Sequence, residues 1–244
     1  VISDLVLLHG WGMNAAVWTD VADRLAQDYR LHLLELPGHG ESPFRKEETL
    51  EDWARACLNM APERACWIGW SLGGQVALQA ALLAPDRVAG LLLTASVPRF
   101  ARGDGWPHAT PIGTLGQFAE ALDRDYLGTI HRFLALQVRG SEQGMEVLRR
   151  LKGDLAARPQ ADPAALSAGL RLLRESDLRG RIAGIQCPLA FIFGERDALV
   201  PIGVADDLEA LIPQARIVRL ADAAHAPFLS HPGPWSAFVR ENLP

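Results

Sequence analysis

The segment ACWIGWSLGGQVALQAALL, residues 65–83, restricts what this chain can fold into more than any other stretch. ACWIGW is an apolar run without polar alternation, which reads as a strand buried on both faces of a parallel sheet. GGQVALQAALL is rich in Ala and Leu, reads as a buried helix, and stops short of Pro85. Only Ser71 and Leu72 separate the two patterns. A strand that passes almost directly into a helix is half of a crossover unit, so the next strand comes back parallel.

The same rhythm runs through both ends of the chain. LVLL at 5–8 is a strand entering the loop HGWGMN, and residues 15–27 have helical spacing. RLHLLEL is a strand closed by PGHGES, TLEDWARACLNM is a helix capped at Thr49, and RVAGLLLTA is a strand. Late in the chain PLAFIFG, PIGVADDLEALIP, ARIVRL and GPWSAFVREN repeat strand, helix, strand, helix. Between about 97 and 187 only helical patterns occur. Leu115, Phe118, Ala119 and Leu122 share one face; Tyr126, Leu127, Ile130, Phe133 and Leu134 share a second; Leu148, Leu151 and Leu155 share a third. The expected architecture is α/β: a mostly parallel central sheet flanked by helices, built from residues 1–96 and 188–244, with a helical lobe, 97–187, inserted between two strands.

Bulk properties exclude several classes. At 244 residues and 49% hydrophobic, the chain has enough apolar material for a full core. A net charge of −5 argues against general nucleic-acid binding. No apolar run approaches the roughly 20 residues of a membrane span, so no membrane partner is expected. Cys57, Cys66 and Cys187 are too few and too scattered for a disulfide or metal framework. They read as core residues of a protein in a reducing compartment, and no secretory leader is visible, so a cytoplasmic location is expected.

Gly69-Trp70-Ser71-Leu72-Gly73 is a G-x-S-x-G pattern in a strand–turn–helix setting, the signature of a nucleophile elbow. Such a turn lifts the serine hydroxyl above the sheet at a helix N-terminus, which favours developing negative charge. The serine needs a base, and the elbow predicts the chain order serine, acid, histidine. Of seven histidines, His225 and His231 follow the last strand; His225, in the loop DAAHAPF, is favoured. LAFIFGERDALVP offers Glu195 and Asp197 as the acid, and Asp197, ahead of the apolar ALVP, is favoured. It would hold the histidine tautomer and stabilise the imidazolium. Two oxyanion donors are expected: the backbone N–H of Leu72 and that of Trp11 in LHGWG. An idle serine in a glycine-rich turn is the competing reading of the motif.

LHGWG, LPGHGES, GWSLGG, GERDALVP and AHAPFLSHP together resemble the α/β-hydrolase superfamily. LHGWGMNAAVW, WIGWSLGG, RFLALQ and AAHAPFLSHP resemble, more narrowly, the pimeloyl-ACP methyl ester esterases of biotin synthesis, over nearly the whole chain. The resemblance implies a carboxylesterase without metal or organic cofactor. It places the catalytic triad on Ser71, Asp197 and His225. Substrate contacts fall on Trp11, Leu72 and the segment Phe133, Leu134, Ala135, Leu136 and Gln137, with Ser71 and His225 at the ester. Trp70, Leu72 and Phe133 are expected to line an acyl slot. The implied partner is an acyl-carrier protein, and a monomer is expected. Arg132 and Arg149 match two of the family's carrier-binding arginines, whereas Gly128 and Met145 stand where two others would be; Arg139 and Arg150 are candidates to compensate.

Charge gives a separate indication. Residues 99–179 carry twelve basic and ten acidic side chains, while the rest of the chain carries twelve and nineteen. A mildly basic lobe on an acidic protein suits an acidic partner, although a solvated helix face has the same composition. The alternatives left open are a general short-chain carboxylesterase, a C–C bond hydrolase with the same triad, and a ligand-binding homologue without turnover.

Overall fold

The computed structural model describes residues 3–45 and 48–244. β1 (Ser3–Leu8) leads through a short 3-10 turn at Ala15–Trp18 into α1 (Thr19–Leu25) and back as β2 (Tyr29–Leu34). α2 (Leu50–Met60), β3 (Ala65–Trp70), α3 (Leu72–Leu83) and β4 (Val88–Thr94) follow. Four helices come next: α4 (Ile112–Leu122), α5 (Tyr126–Gln137), α6 (Gly144–Ala156) and α7 (Pro163–Glu175). The chain then completes the sheet with β5 (Leu189–Gly194), α8 (Val204–Leu211) and β6 (Arg216–Leu220), and ends on α9 (Pro227–Ser230) and α10 (Pro232–Asn242).

The six strands pair in the order β2-β1-β3-β4-β5-β6, every pair parallel. β3 is buried along its whole length, as its unbroken apolar sequence requires. From β1 the chain first moves outward to β2 and then returns to the far side of β1 as β3. The carboxyl ends of β1 and β3 therefore flank a switch point of the sheet, where α/β folds open a crevice. The loop after β1 and Ser71 after β3 meet there.

Local sequence explains the element boundaries. Thr49 and Asp52 form a reciprocal capping box: the Thr49 hydroxyl accepts the Asp52 N–H at 3.1 Å, and Asp52 accepts the Thr49 N–H at 3.0 Å. The single helix expected over 15–27 is instead two pieces. Asn14 caps the first by accepting the Ala16 N–H at 3.0 Å, and the tight 3-10 turn buries Val17 and Trp18 before α1 begins. On α5, Ile130, Phe133 and Leu134 are buried as their spacing predicts, but Leu127 is 53% exposed at the rim of a groove between α5 and α6. The three cysteines are free thiols, and burial pushes Cys57 up to about 12. Among the described residues, no helix is long and apolar enough to cross a membrane.

Candidate active site

Ser71 occupies a backbone conformation that L-residues rarely adopt, with φ 56° and ψ −121°. Holding it there costs about 1–3 kcal/mol. The surrounding contacts fix it from both sides. Its N–H donates to the Thr94 carbonyl at 3.0 Å, and its carbonyl accepts from Gly74 N–H at 2.9 Å and from the Ser96 hydroxyl at 2.7 Å. The turn is so tight that a Cβ on Gly69 would run into the Gly74 backbone, and one on Gly73 into the His9 carbonyl. These glycines are dictated by close approach, which is why the motif spaces them around the serine. The Ser71 residue itself is 3% exposed and sits at the N-terminus of α3.

Asp197 and His225 lie in the loops after β5 and β6. His225 Nδ1 is 2.7 Å from Asp197 Oδ2, and both side chains are fully buried. The other carboxylate oxygen accepts the N–H groups of Leu199 at 2.8 Å and Val200 at 2.9 Å. The ALVP segment thus supplies amides as well as apolar cover. With Oδ1 taken by two backbone N–H groups, Oδ2 fixes the ring so that Nδ1 carries a proton. Among the described residues His225 Nε2 is buried and has no hydrogen-bond partner. Glu195 is exposed, and Arg196 beside it pairs with Asp222 at 3.5 Å instead. His231 is bound to the Ser230 hydroxyl at 2.8 Å, away from any acid.

The loop after β1 closes over the serine. A Cβ on Gly10 would lie 3.2 Å from Ser71 Cβ, so the next residue, Trp11, passes directly beside the elbow. Among the described residues the Trp11 N–H has no backbone acceptor, and Leu72 N–H belongs to the first, unpaired turn of α3. The Trp11 indole donates to the Leu166 carbonyl at 2.8 Å and meets Phe133 edge-on at 4.7 Å. Its ring therefore joins the strand loop to the helical segment above.

Beside Ser71 is a narrow cleft, closed down to about 10 Å³, walled by Phe100, Thr110, Leu115, Phe133, Leu173 and Leu199. Phe133 is there as expected. Trp70 is not: its indole donates to the His225 carbonyl at 2.8 Å, and its ring packs against Phe228 at 5.1 Å. It anchors the histidine loop from the core side rather than forming the slot. Leu134 is buried, Ala135 exposed and Leu136 half-buried, and none of the three lines this cavity. Gln137 serves through its backbone: its carbonyl accepts the His225 N–H at 3.0 Å.

Sequence reasoning missed four of the cavity walls. Phe100, Thr110 and Leu173 stand in connections or on helix faces whose orientation no local pattern gives. Thr110 also donates through its hydroxyl to the Leu199 carbonyl, tying the helical segment to the acid loop. Leu199 was legible only as part of the apolar ALVP. Among the arginines, Arg132 is exposed and pairs with Asp125 at 3.3 Å, and Arg149 and Arg139 are exposed. Arg150 is engaged, bridging Asp20 and Glu146 at 3.0 Å each, which removes it as a ready substitute for a missing carrier contact.

The sequence matches the family model described as alpha/beta hydrolase fold over residues 5–232. A pimeloyl-ACP methyl ester esterase of Pectobacterium atrosepticum is 47% identical over 230 residues, covering 94% of this chain and 90% of the relative. The enzyme of the same name from Edwardsiella ictaluri is 45% identical over 238 residues, covering 98% and 92%. The fold superposes on an esterase from Exiguobacterium antarcticum with a TM-score of 0.88 at 20% identity, covering 98% of this chain and 91% of that one. Fold, elbow geometry and sequence relatives agree, and the chain belongs to the alpha/beta hydrolase family.

Proposed function

We propose that this chain is a serine carboxylesterase that hydrolyses the methyl ester of pimeloyl-ACP, with Ser71, His225 and Asp197 as its triad. The observation that carries the catalytic part is the buried His225–Asp197 pair at 2.7 Å, found in the same chain as a serine held at φ 56° in the strand–helix elbow. The substrate comes from the relatives named for it, 41–47% identical over nearly the whole chain.

In this mechanism Ser71 Oγ attacks the ester carbonyl while His225 Nε2 takes its proton. The N–H groups of Trp11 and Leu72 stabilise the tetrahedral oxyanion. His225 then protonates departing methanol. A water deprotonated by His225 hydrolyses the acyl-enzyme and releases the free carboxylate. Asp197 keeps the ring oriented. Residues 97–187 act as a cap over the sheet, and the acyl chain enters the cleft walled by Phe133 and Leu115, which must widen from its present volume of about 10 Å³ to admit it. Arg132, Arg149 and Arg139 present basic groups on the cap surface for the acidic carrier. The protein acts as a cytoplasmic monomer and needs no cofactor for these steps.

The test compares two substrates. Pimeloyl-ACP methyl ester should be turned over with a KM at least tenfold below that of a small free methyl ester. Arg132→Glu with Arg149→Glu should erase that advantage and leave p-nitrophenyl ester turnover unchanged. Loss of all ester turnover in Ser71→Ala is required as well. A general carboxylesterase with weak carrier dependence is the second reading. It is favoured by Met145, 80% exposed, and Gly128, which occupy two positions where the resemblance expects arginines. Equal turnover of both substrates would support it.

A further inference from the structure

The proposed mechanism, on which this inference rests, asks one backbone amide, that of Trp11, to point at the oxyanion from a loop. Loops rarely hold a single N–H in place without help. A peptide unit is planar and trans, so an N–H points opposite to the carbonyl before it. The direction of the Trp11 N–H is therefore the direction of the Gly10 carbonyl, reversed. That carbonyl is gripped by His9 Nδ1 at 2.8 Å and by the Met13 N–H at 3.2 Å. A carbonyl only accepts, so His9 carries its proton on Nδ1 in this contact. Its Nε2 accepts the Leu36 N–H at 3.1 Å and faces Glu35 Oε2, also at 3.1 Å.

The following peptide unit is held by a second histidine from a different segment. His39 Nδ1 lies 3.0 Å from the Pro37 carbonyl, which sets its proton there too. Its Nε2 then accepts the Gly12 N–H at 3.3 Å. Both imidazoles are fully buried, with ring centroids 5.3 Å apart. Burial holds His39 far below the ordinary imidazole range, at about 3, so Nε2 keeps its lone pair. The triad mechanism uses neither ring.

We propose that His9 and His39 are positioning residues that clamp the two successive peptide units of Gly10–Trp11 and Trp11–Gly12, and so aim the Trp11 N–H at the oxyanion. His9 acts by donating from Nδ1, His39 by accepting at Nε2. The two rings work through opposite nitrogens, which gives the clamp a distinctive mutational signature. An asparagine places its amide nitrogen near Nδ1 of the histidine it replaces, and a glutamine places its amide oxygen near Nε2. His9→Asn and His39→Gln keep the essential contact; His9→Gln and His39→Asn lose it while remaining polar and close in size.

The test measures p-nitrophenyl butyrate kinetics and the affinity of an alkyl trifluoromethyl ketone, whose serine adduct carries an oxyanion, against that of the matching methyl ketone. His9→Gln and His39→Asn should each lower kcat about 10- to 100-fold with KM within twofold, the range expected when an oxyanion donor is misaligned. They should weaken the trifluoromethyl ketone by the same factor and leave the methyl ketone unchanged. His9→Asn and His39→Gln should stay within about threefold of the unmodified protein in both readouts, on the same scale. If Asn and Gln behave alike at each position, or both ketones weaken equally, the histidines only support the fold and the clamp is overturned. Absence of any adduct in the unmodified protein would overturn the esterase reading and the clamp with it; an adduct without the crossed pattern overturns the clamp alone.

Discussion

Asp197→Asn isolates the contribution of the acid from that of the fold. The native carboxylate receives three donors: Leu199 N–H at 2.8 Å, Val200 N–H at 2.9 Å and His225 Nδ1 at 2.7 Å. Asparagine has the same shape, and its oxygen can keep the two backbone amides. Its NH2 group then occupies the place of Oδ2 and faces His225 Nδ1. Two N–H groups cannot face each other at that distance, so His225 must move its proton to Nε2 and accept at Nδ1. Nε2, which has no hydrogen-bond partner among the described residues, would then carry the proton and could not take that of Ser71 in the proposed mechanism. The expected loss in kcat is about 10⁴-fold, the magnitude of the equivalent tautomer error in a serine protease. That factor corresponds to about 5.5 kcal/mol of transition-state stabilisation. Loss of a charge-assisted hydrogen bond should cost the fold a further ~1.5–3 kcal/mol. The assay is steady-state ester hydrolysis, with urea unfolding run on the same preparation. A folded variant retaining more than about a tenth of the native kcat would refute the tautomer argument and with it the role given to Asp197.

Three further outcomes follow from the packing. Trp70→Phe removes the indole N–H that holds the His225 carbonyl at 2.8 Å; it should cost about 2–4 kcal/mol in urea unfolding, for a deserted carbonyl plus a cavity, and lower kcat without changing acyl-length preference. A changed preference would put Trp70 in the acyl slot after all. Gly73→Ala drives a methyl group into the His9 carbonyl and should destabilise by at least ~3 kcal/mol, so recovery of a native-like unfolding midpoint would contradict the elbow packing. The depressed His39, at about 3 when folded against 6.5 for the ordinary group, makes the unfolded chain the better proton binder between those values. Stability should therefore be lost as pH falls below 6.5, by up to about 1.4 kcal/mol per unit. Urea titrations at pH 7 and pH 5 should show this slope, and His39→Gln should flatten it.

How much of this site was legible in the sequence depends on whether its cause is local. The elbow was, because strand, turn and helix are contiguous and the glycines are forced by contacts between near neighbours, such as Gly69 with Gly74. The pairing of Asp197 with His225, at 2.7 Å, is the part that chain order makes legible, since parallel sheets put successive loops at the same end of the strands. The start of the helix over 15–27 is not legible, because a 3-10 turn keeps a helical apolar spacing while changing the pitch. Leu127 was placed inside because periodicity gives a stripe but cannot say where its neighbour ends.

Trp70 shows the harder limit. A large aromatic residue beside a nucleophile reads equally well as pocket wall or as anchor, and only the distant carbonyl of His225 decides between them. The same is true of Gln137, whose side chain the motif RFLALQ draws attention to but whose carbonyl makes the contact with His225 N–H. The backbone of His225, the proposed base, is thus held at its carbonyl by the core and at its N–H by the helical segment. In sequence those two anchors are separated by α3, β4, α4 and nearly all of α5, and backbone acceptors leave no mark on residue identity. What the side chains encode is the chemistry of the site; where that chemistry is held is set by contacts between main-chain atoms, and these become visible only when the two halves of the sheet and the helices between them are assembled.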